Sequence, residues 1–266
     1  MGKKMNNAPV YFVLAQIRFN AVLTLDSYIP AIQDSLRKAG YADFAKSVTT
    51  TVNLNLDLPA AINQMPVGQL LRYLFLDEGK TSGFILDQTS LTFETTDYDT
   101  FEPFAVAFSA GLKTVHDSVG GLNFSERIGL RFLDAVTARA GEKITDYFAP
   151  SLIGLYDKLN KRELKHVVSE TWSTSDKFNL MCRAIIQNQS VKGVSFAPDL
   201  IPVVLQVAEK FREISGIYGI FDTDAWYENR QKFDLANIEK LLGDLHGDVR
   251  GYFDKMVTPH ALDVWG

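Results

Sequence analysis

The run VYFVLAQIRF, Val10–Phe19, carries apolar residues on both faces of an extended chain. That is the pattern of a strand buried on both sides, at the centre of a sheet. A second β-leaning run, FSERIGLRFLDAV from Phe124 to Val136, is also rich in apolar residues and sets Arg131 in its middle. A cation in a core strand is costly unless it has a partner. A fold for this chain must accommodate both runs and supply that arginine with a counter-charge or a ligand.

The segments around these runs fall into order. After the first, Asp26 can cap a helix running to Lys38, with Ile29, Ile32, Leu36 and Ala39 on one face and Gly40 ending it. Strand patterns follow at Ser47–Leu56, Gln69–Leu76, Ser82–Leu86 and Ser90–Thr96. Past Asp99, Phe104, Phe108, Leu112, Val115 and Val119 keep helical spacing until Gly120 and Gly121. Residues 1–121 thus read β-α-β4-α.

Residues 122–266 repeat much of this. Leu152, Leu155, Tyr156 and Leu159 mark a helix after the second run, and strands are expected at Leu164–Thr174, Phe178–Gln187 and Ile217–Tyr227. Asp234 caps a closing helix with Ile238, Leu242, Leu245 and Val249 inward. Pro198–Ile214 carries both helical and edge-strand features. The echo of IRFNAV (Ile17–Val22) in LRFLDAV (Leu130–Val136), and of Phe108, Leu112, Val115, His116 and Val119 in Ile238, Leu242, Leu245, His246 and Val249, points to an internal duplication. On that reading 198–214 is a strand and each half is β-α-β4-α.

The expected class is therefore α+β. Two such halves related by a pseudo-twofold resemble the TATA-binding-protein-like and helix-grip folds, in which a curved antiparallel sheet is backed by helices. If both halves share one sheet, their first strands meet near the twofold and bring Arg18 close to Arg131.

Charge and cysteine content narrow the function. With 27 basic and 32 acidic side chains the formal charge is −5, which argues against coating nucleic acid by charge alone. The lone Cys182 lies in the apolar run NLMCRAII and reads as a core thiol in a reducing compartment. The basic start before VYFVLAQIRF meets Gln16 and Arg18 too early for a signal peptide, and no segment approaches the roughly 20 apolar residues of a membrane span. A cytoplasmic protein without a membrane partner is expected.

No catalytic motif is complete, and no cofactor is implied. GKTS, Gly79–Ser82, lacks the upstream glycine of a phosphate-binding loop and reads as a hairpin turn using Gly79 for positive φ. His116, His166, His246 and His260 have no metal-ligand spacing, and no GxSxG is present. Asp222 and Asp224 share one strand face, a spacing that some metal-dependent phosphoesterases and nucleases use, but no third acidic ligand is identifiable. Their simpler role is to pair with a basic partner.

In SERIGLRFLD, alternation puts Arg127, Gly129, Arg131 and Leu133 on one face. Gly129 leaves backbone open to a ligand or another segment. Arg131 then pairs within the fold, with Glu94, Asp222 or Asp224, or it binds an anion. The candidate ligand-binding residues are Arg18, Arg127, Arg131, Asp222 and Asp224. Arginines and aromatics on a concave sheet also suit nucleic-acid binding, the less favoured reading.

PVYFVLAQIRF, SLTFETTDYDTFEPF, ERIGLRFLDAV and the closing FDTD with LHGDVRGYFDKMVTPHALDVWG together resemble a sporadically distributed bacterial protein family of unknown function. Tyr73 and Phe101 stand where that family's middle region suggests Trp. The resemblance brings no catalytic residues. Its patchy distribution implies phage-defence or toxin-antitoxin loci, and with them a non-enzymatic binding or regulatory protein that acts on a protein partner or as a homo-oligomer.

Overall fold

A computed structural model describes residues 5–52, 67–158, 163–197, 200 and 205–266. The first apolar run forms β1 (Val10–Phe19), which hydrogen-bonds antiparallel to β5 (Ser90–Thr95) on one side and to β6 (Phe124–Val136) on the other. Outward from β5 lie β4 (Ser82–Leu86), β3 (Val67–Leu76) and β2 (Asp43–Val52). Outward from β6 lie β9 (Gly216–Lys232), β8 (Asn179–Gln189) and β7 (His166–Thr174). The chain is an α+β protein with one nine-stranded antiparallel sheet, ordered β2-β3-β4-β5-β1-β6-β9-β8-β7 among the described residues. The division at residues 121 and 122 does not interrupt the sheet, because β1 and β6 pair along most of their length.

Helices α1 (Leu25–Lys38), α2 (Phe101–Ser118) and α4 (Leu235–Met256) back one face. Their apolar stripes, including Ile32, Leu36, Phe108, Leu112, Leu242 and Leu245, share a core with Val13, Ala15, Ile17, Ile128 and Leu130. Asp234 caps α4 by accepting from the Asn237 N–H at 3.2 Å. Asp26 does not cap α1, which starts at Leu25; it sits in the first turn and accepts from the Tyr73 hydroxyl. No helix of the described residues is long and apolar enough to cross a membrane.

Gly111 is where α2 meets the sheet most closely. A Cβ there would lie 2.2 Å from Phe84 Cε1, and that ring is held by Phe93 and Tyr41 at 4.7 and 4.8 Å. Alanine gains about 1 kcal/mol over glycine in a helix interior, whereas overpacking costs about 1–3 kcal/mol. With so severe an overlap the packing cost dominates. Gly111→Ala is expected to lose about 1–2 kcal/mol in urea unfolding; an unchanged or higher midpoint would show that Phe84 moves aside.

The second half departs from the expected β-α-β4-α order. The helix expected near Leu152–Leu159 is two 3-10 turns, Pro150–Leu152 and Tyr156–Lys158, with Leu159 outside the described residues. No strand occupies the described part of 198–214, which instead holds the short α3 (Glu209–Arg212); Pro198 and Pro202 lie outside the described residues. The apolar side chains of this stretch are buried by lying across the sheet rather than by pairing at its edge. Phe196 packs edge-on against Tyr11 and Phe12, and Phe211 joins Leu133, Ala135, Tyr218 and Ile220 in a cluster on the face away from α1, α2 and α4.

Three further details differ from expectation. β2 begins at Asp43 rather than Ser47, and the rest of the expected strand, 53–56, lies outside the described residues. The DEGK turn joins β3 to β4 as expected, but the positive φ, 51°, falls at Lys80 and not at Gly79. A terminal helix, α5 (Pro259–Trp265), was not apparent in the sequence. Thr258 caps it, and Trp265 enters a second cluster with Tyr147, Phe148, Phe221 and Phe253.

Candidate functional site

Side chains alternate along each strand, so the register defines what lies on the face opposite α1, α2 and α4. Gln16 and Arg18 of β1, Arg127, Gly129 and Arg131 of β6, Asp222, Asp224 and Trp226 of β9, Arg183 of β8, and Glu170 and Trp172 of β7 share that face. All five arginine and aspartate candidates are therefore on one surface. They do not form one cluster.

Arg131 is 4% exposed and Asp222 0%. The guanidinium grips the carboxylate with both prongs, Nε to Oδ1 and Nη2 to Oδ2, each at 2.7 Å. Arg183 adds Nη1 to Asp222 Oδ2 at 3.1 Å and donates through Nε to Glu170 Oε2 at 2.6 Å. A bidentate, charge-assisted pair of this kind can offset the desolvation of both ions. Among the expected partners of Arg131, Asp222 is thus engaged by this geometry, reached diagonally although Asp224 lies directly across the ladder.

Glu94 lies two strands away on β5 and does not meet Arg131. It is 6% exposed, Oε2 has no hydrogen-bond partner among the described residues, and burial pushes its carboxyl up to about 8 despite the opposing field of Arg72.

Both Asp222 oxygens already accept from guanidinium groups. Its spacing from Asp224 therefore serves an ion cluster rather than an empty carboxylate cradle. Among the described residues no group of three or more His, Cys, Asp or Glu is placed to hold a metal.

Arg18 and Arg131 are not side by side. Antiparallel pairing sets Arg18 across from Arg127 and Arg131 across from Leu14, so the two lie at separate levels of the ladder. The pair that does form is Arg18 with Arg127. Like charges directly opposite on a sheet repel, and Arg18 is exposed.

The Arg127 guanidinium folds down over Gly129, where a Cβ would come within 3.1 Å of Nη1. The open backbone at Gly129 is thus filled by the chain's own arginine. Nη1 donates to Gln16 Oε1 at 3.4 Å, and the guanidinium carbon sits 5.4 Å from the centre of the Trp226 ring, within cation–π range. Burial draws Arg127 below the usual arginine range; Asp224 and Glu228 oppose that shift, and Arg18 and Arg131 add to it.

Trp226 in turn meets Trp172 edge-on at 5.8 Å, and Trp172 is 63% exposed on the edge strand β7. An arginine-tryptophan band thus runs across the sheet from Arg18 to Trp172. Sequence reasoning missed Trp226, Trp172 and Arg183. Trp226 follows Asp224 by two residues and so shares its face, and Arg183 stands in an apolar run as Arg131 does; both signals were present.

The matched histidines are packing residues. His116 Nδ1 accepts from the Leu122 N–H at 3.0 Å, and His246 stacks flat on Phe101 at 4.0 Å. Cys182 is half-buried at the margin of the core rather than within it, and burial raises its thiol to about 11, which disfavours the reactive thiolate. Comparison with family models, curated proteins and solved structures gives no match.

Proposed function

We propose that this protein works by binding a protein partner, and that the band from Arg18 through Arg127 and Trp226 to Trp172 receives an acidic segment of that partner. The observation that carries the reading is the exposed Arg18 set directly against Arg127, an arrangement that an incoming carboxylate would relieve. Arginine and tryptophan are the residue types that dominate binding energy at protein interfaces, and Trp172 is exposed at the β7 end of the band, its indole N–H held by Glu170. Affinity for nucleic acid grows with the number of phosphates that basic side chains neutralise, and this band offers two such side chains, Arg18 and Arg127, enough for a carboxylate but few for a run of phosphates, which makes nucleic acid the weaker candidate.

The test is an oligoglutamate peptide and a single-stranded oligodeoxynucleotide, each titrated at low and high salt with tryptophan fluorescence as readout. The peptide is expected to bind in a salt-dependent way, and Arg18→Ser to weaken it about ten-fold, the loss of about 1.4 kcal/mol. The same variant is expected to leave the thermal midpoint unchanged or slightly higher, because a like-charge contact is removed. A role in stability alone would lower the midpoint and leave affinity unmoved. Tighter binding of the oligonucleotide would replace the protein-partner reading with the nucleic-acid one.

We also infer that the two halves share an origin and that the sheet is of the TATA-binding-protein-like or helix-grip kind. The shift that carries Arg18 to Arg131 also carries Leu14 to Arg127 and Gln16 to Gly129. It exchanges the pairs Leu14–Arg131 and Arg18–Arg127. Any antiparallel ladder admits such an exchange; the offset of the echo sets its midpoint at Gln16 and Gly129, and the support for a shared origin is the echo itself. Action within a defence or toxin-regulating locus belongs to the same proposal and rests on the family resemblance, while cytoplasmic action rests on the lone Cys182.

A further inference from the structure

On the helix side of the sheet, away from the arginine-tryptophan band, a cavity of about 430 Å³ opens between the start of α2 and the middle of α4. Its volume lies in the range of small-molecule sites. Phe132, Asp134 and Thr223 come from the sheet, Tyr98 and Phe101 from the entry to α2, and His246 and Arg250 from α4. The lining is largely aromatic and aliphatic, with one feature that apolar packing does not explain.

That feature is Asp134. It is 5% exposed, it lines the cavity, and none of the described residues gives it a hydrogen bond or an ion pair. A buried carboxyl without a partner is costly, and its burial raises it to about 7, with Arg250 acting against that rise and Asp222 adding to it.

The other charges around the cavity favour a cation. Asp99 and Glu102 add negative charge at the mouth, while Arg250 already pairs with Asp254 at 3.0 Å. His246 is held below its ordinary range by burial and so brings no positive charge at neutral pH. The N-terminus of α2 disfavours a cation, but that influence is confined to the first turn and is weaker than the pull of an unpaired buried carboxylate.

We propose that this cavity binds a small organic amine, whose cationic nitrogen meets the Asp134 carboxylate and whose apolar body lies among Tyr98, Phe101 and Phe132. The flat stack of His246 on Phe101 fixes one wall of the pocket for such a body. This site is separate from the proposed partner-binding face and stands whether or not that reading does.

The test uses phenethylamine, with phenethyl alcohol and phenylacetate as neutral and anionic counterparts, in titrations of the full chain followed by ¹H–¹⁵N NMR. The amine is expected to bind at least about ten-fold more tightly than either counterpart, with shifts clustered at Tyr98–Glu102 and His246–Arg250. Asp134→Asn removes the charge without removing a contact, so the fold is expected to persist and amine affinity to fall about ten-fold or more, while Arg18→Ser leaves it unchanged. Equal binding of the three probes, absence of amine binding, shifts that map elsewhere, or full affinity in Asp134→Asn would each overturn the proposal.

Discussion

Asp222→Ala is expected to destabilise the folded protein by about 3–5 kcal/mol, the usual cost of removing one partner from a buried ion pair. The variant leaves the Arg131 guanidinium, 4% exposed, without the two oxygens it grips at 2.7 Å. Arg183, the second guanidinium on Asp222, keeps its bond to Glu170. At roughly 2–4 °C per kcal/mol for domains of 150–250 residues, the thermal midpoint should fall by roughly 6–20 °C. Replacing both partners with apolar residues, Arg131→Met with Asp222→Leu, is expected to recover much of the loss, because apolar substitutes for a buried pair are often neutral or better. A loss below about 1 kcal/mol in Asp222→Ala would place the pair with ordinary surface salt bridges and remove it as the anchor of the central strands.

Glu94→Gln is expected to act in the opposite direction and only at higher pH. Burial holds the folded-state carboxyl at about 8, above the ordinary glutamate value of 4.5, so between those limits the folded chain holds a proton that the unfolded chain has released. Stability therefore falls as pH rises through that window; below about 4.5 the penalty is absent, and above about 8 it is complete. Each unit of displacement corresponds to about 1.4 kcal/mol, which puts the full effect at a few kcal/mol. Glutamine cannot ionise and escapes it. Urea unfolding at pH 5, 7 and 9 should show wild type and Glu94→Gln nearly equal at the first and the variant clearly more stable at the last. Asp134 contributes a slope of the same sign to both proteins, so the difference between them isolates Glu94. A difference that does not change with pH would mean Glu94 stays ionised and solvated in the folded state.

Much of the architecture was legible because burial leaves a periodic trace. β1, β4 and β6 have the bounds that their apolar runs mark, and Gly40, with φ +100°, stands where α1 was expected to end. The stretch between β8 and β9 misled because local pattern reports that Phe211 and Ile214 must be buried, not whether they do so at a sheet edge or flat upon the sheet. The 3-10 turns Pro150–Leu152 and Tyr156–Lys158 are too short to carry helical periodicity, and α5 was hidden in an amphipathic tail whose core contact, Trp265, is made with residues far away in the chain.

The candidate site was legible in the same partial way. Alternation placed Arg127, Gly129 and Arg131 on one face, and pairing chemistry limited the partners of Arg131 to three carboxylates. Choosing Asp222 required the β6–β9 register and the diagonal reach of an arginine side chain. The expected meeting of Arg18 and Arg131 failed for a geometric reason: antiparallel strands carry equivalent positions to opposite ends of the ladder, and so Arg127 faces Arg18 instead.

The buried arginine cluster braces the middle of the sheet, while the proposed function leaves the neighbouring Arg18–Arg127 pair to a partner. A titration with the oligoglutamate peptide, observed through the indole N–H signals of Trp172, Trp226 and Trp265 and the guanidinium Nε–H signals of Arg127 and Arg131, separates the two roles. Shifts are expected at Trp226, Trp172 and Arg127, with Trp265 and Arg131 unmoved. Saturating peptide that leaves Trp226 and Arg127 in place, or that shifts Arg131 as far as Arg127, would contradict that division of roles.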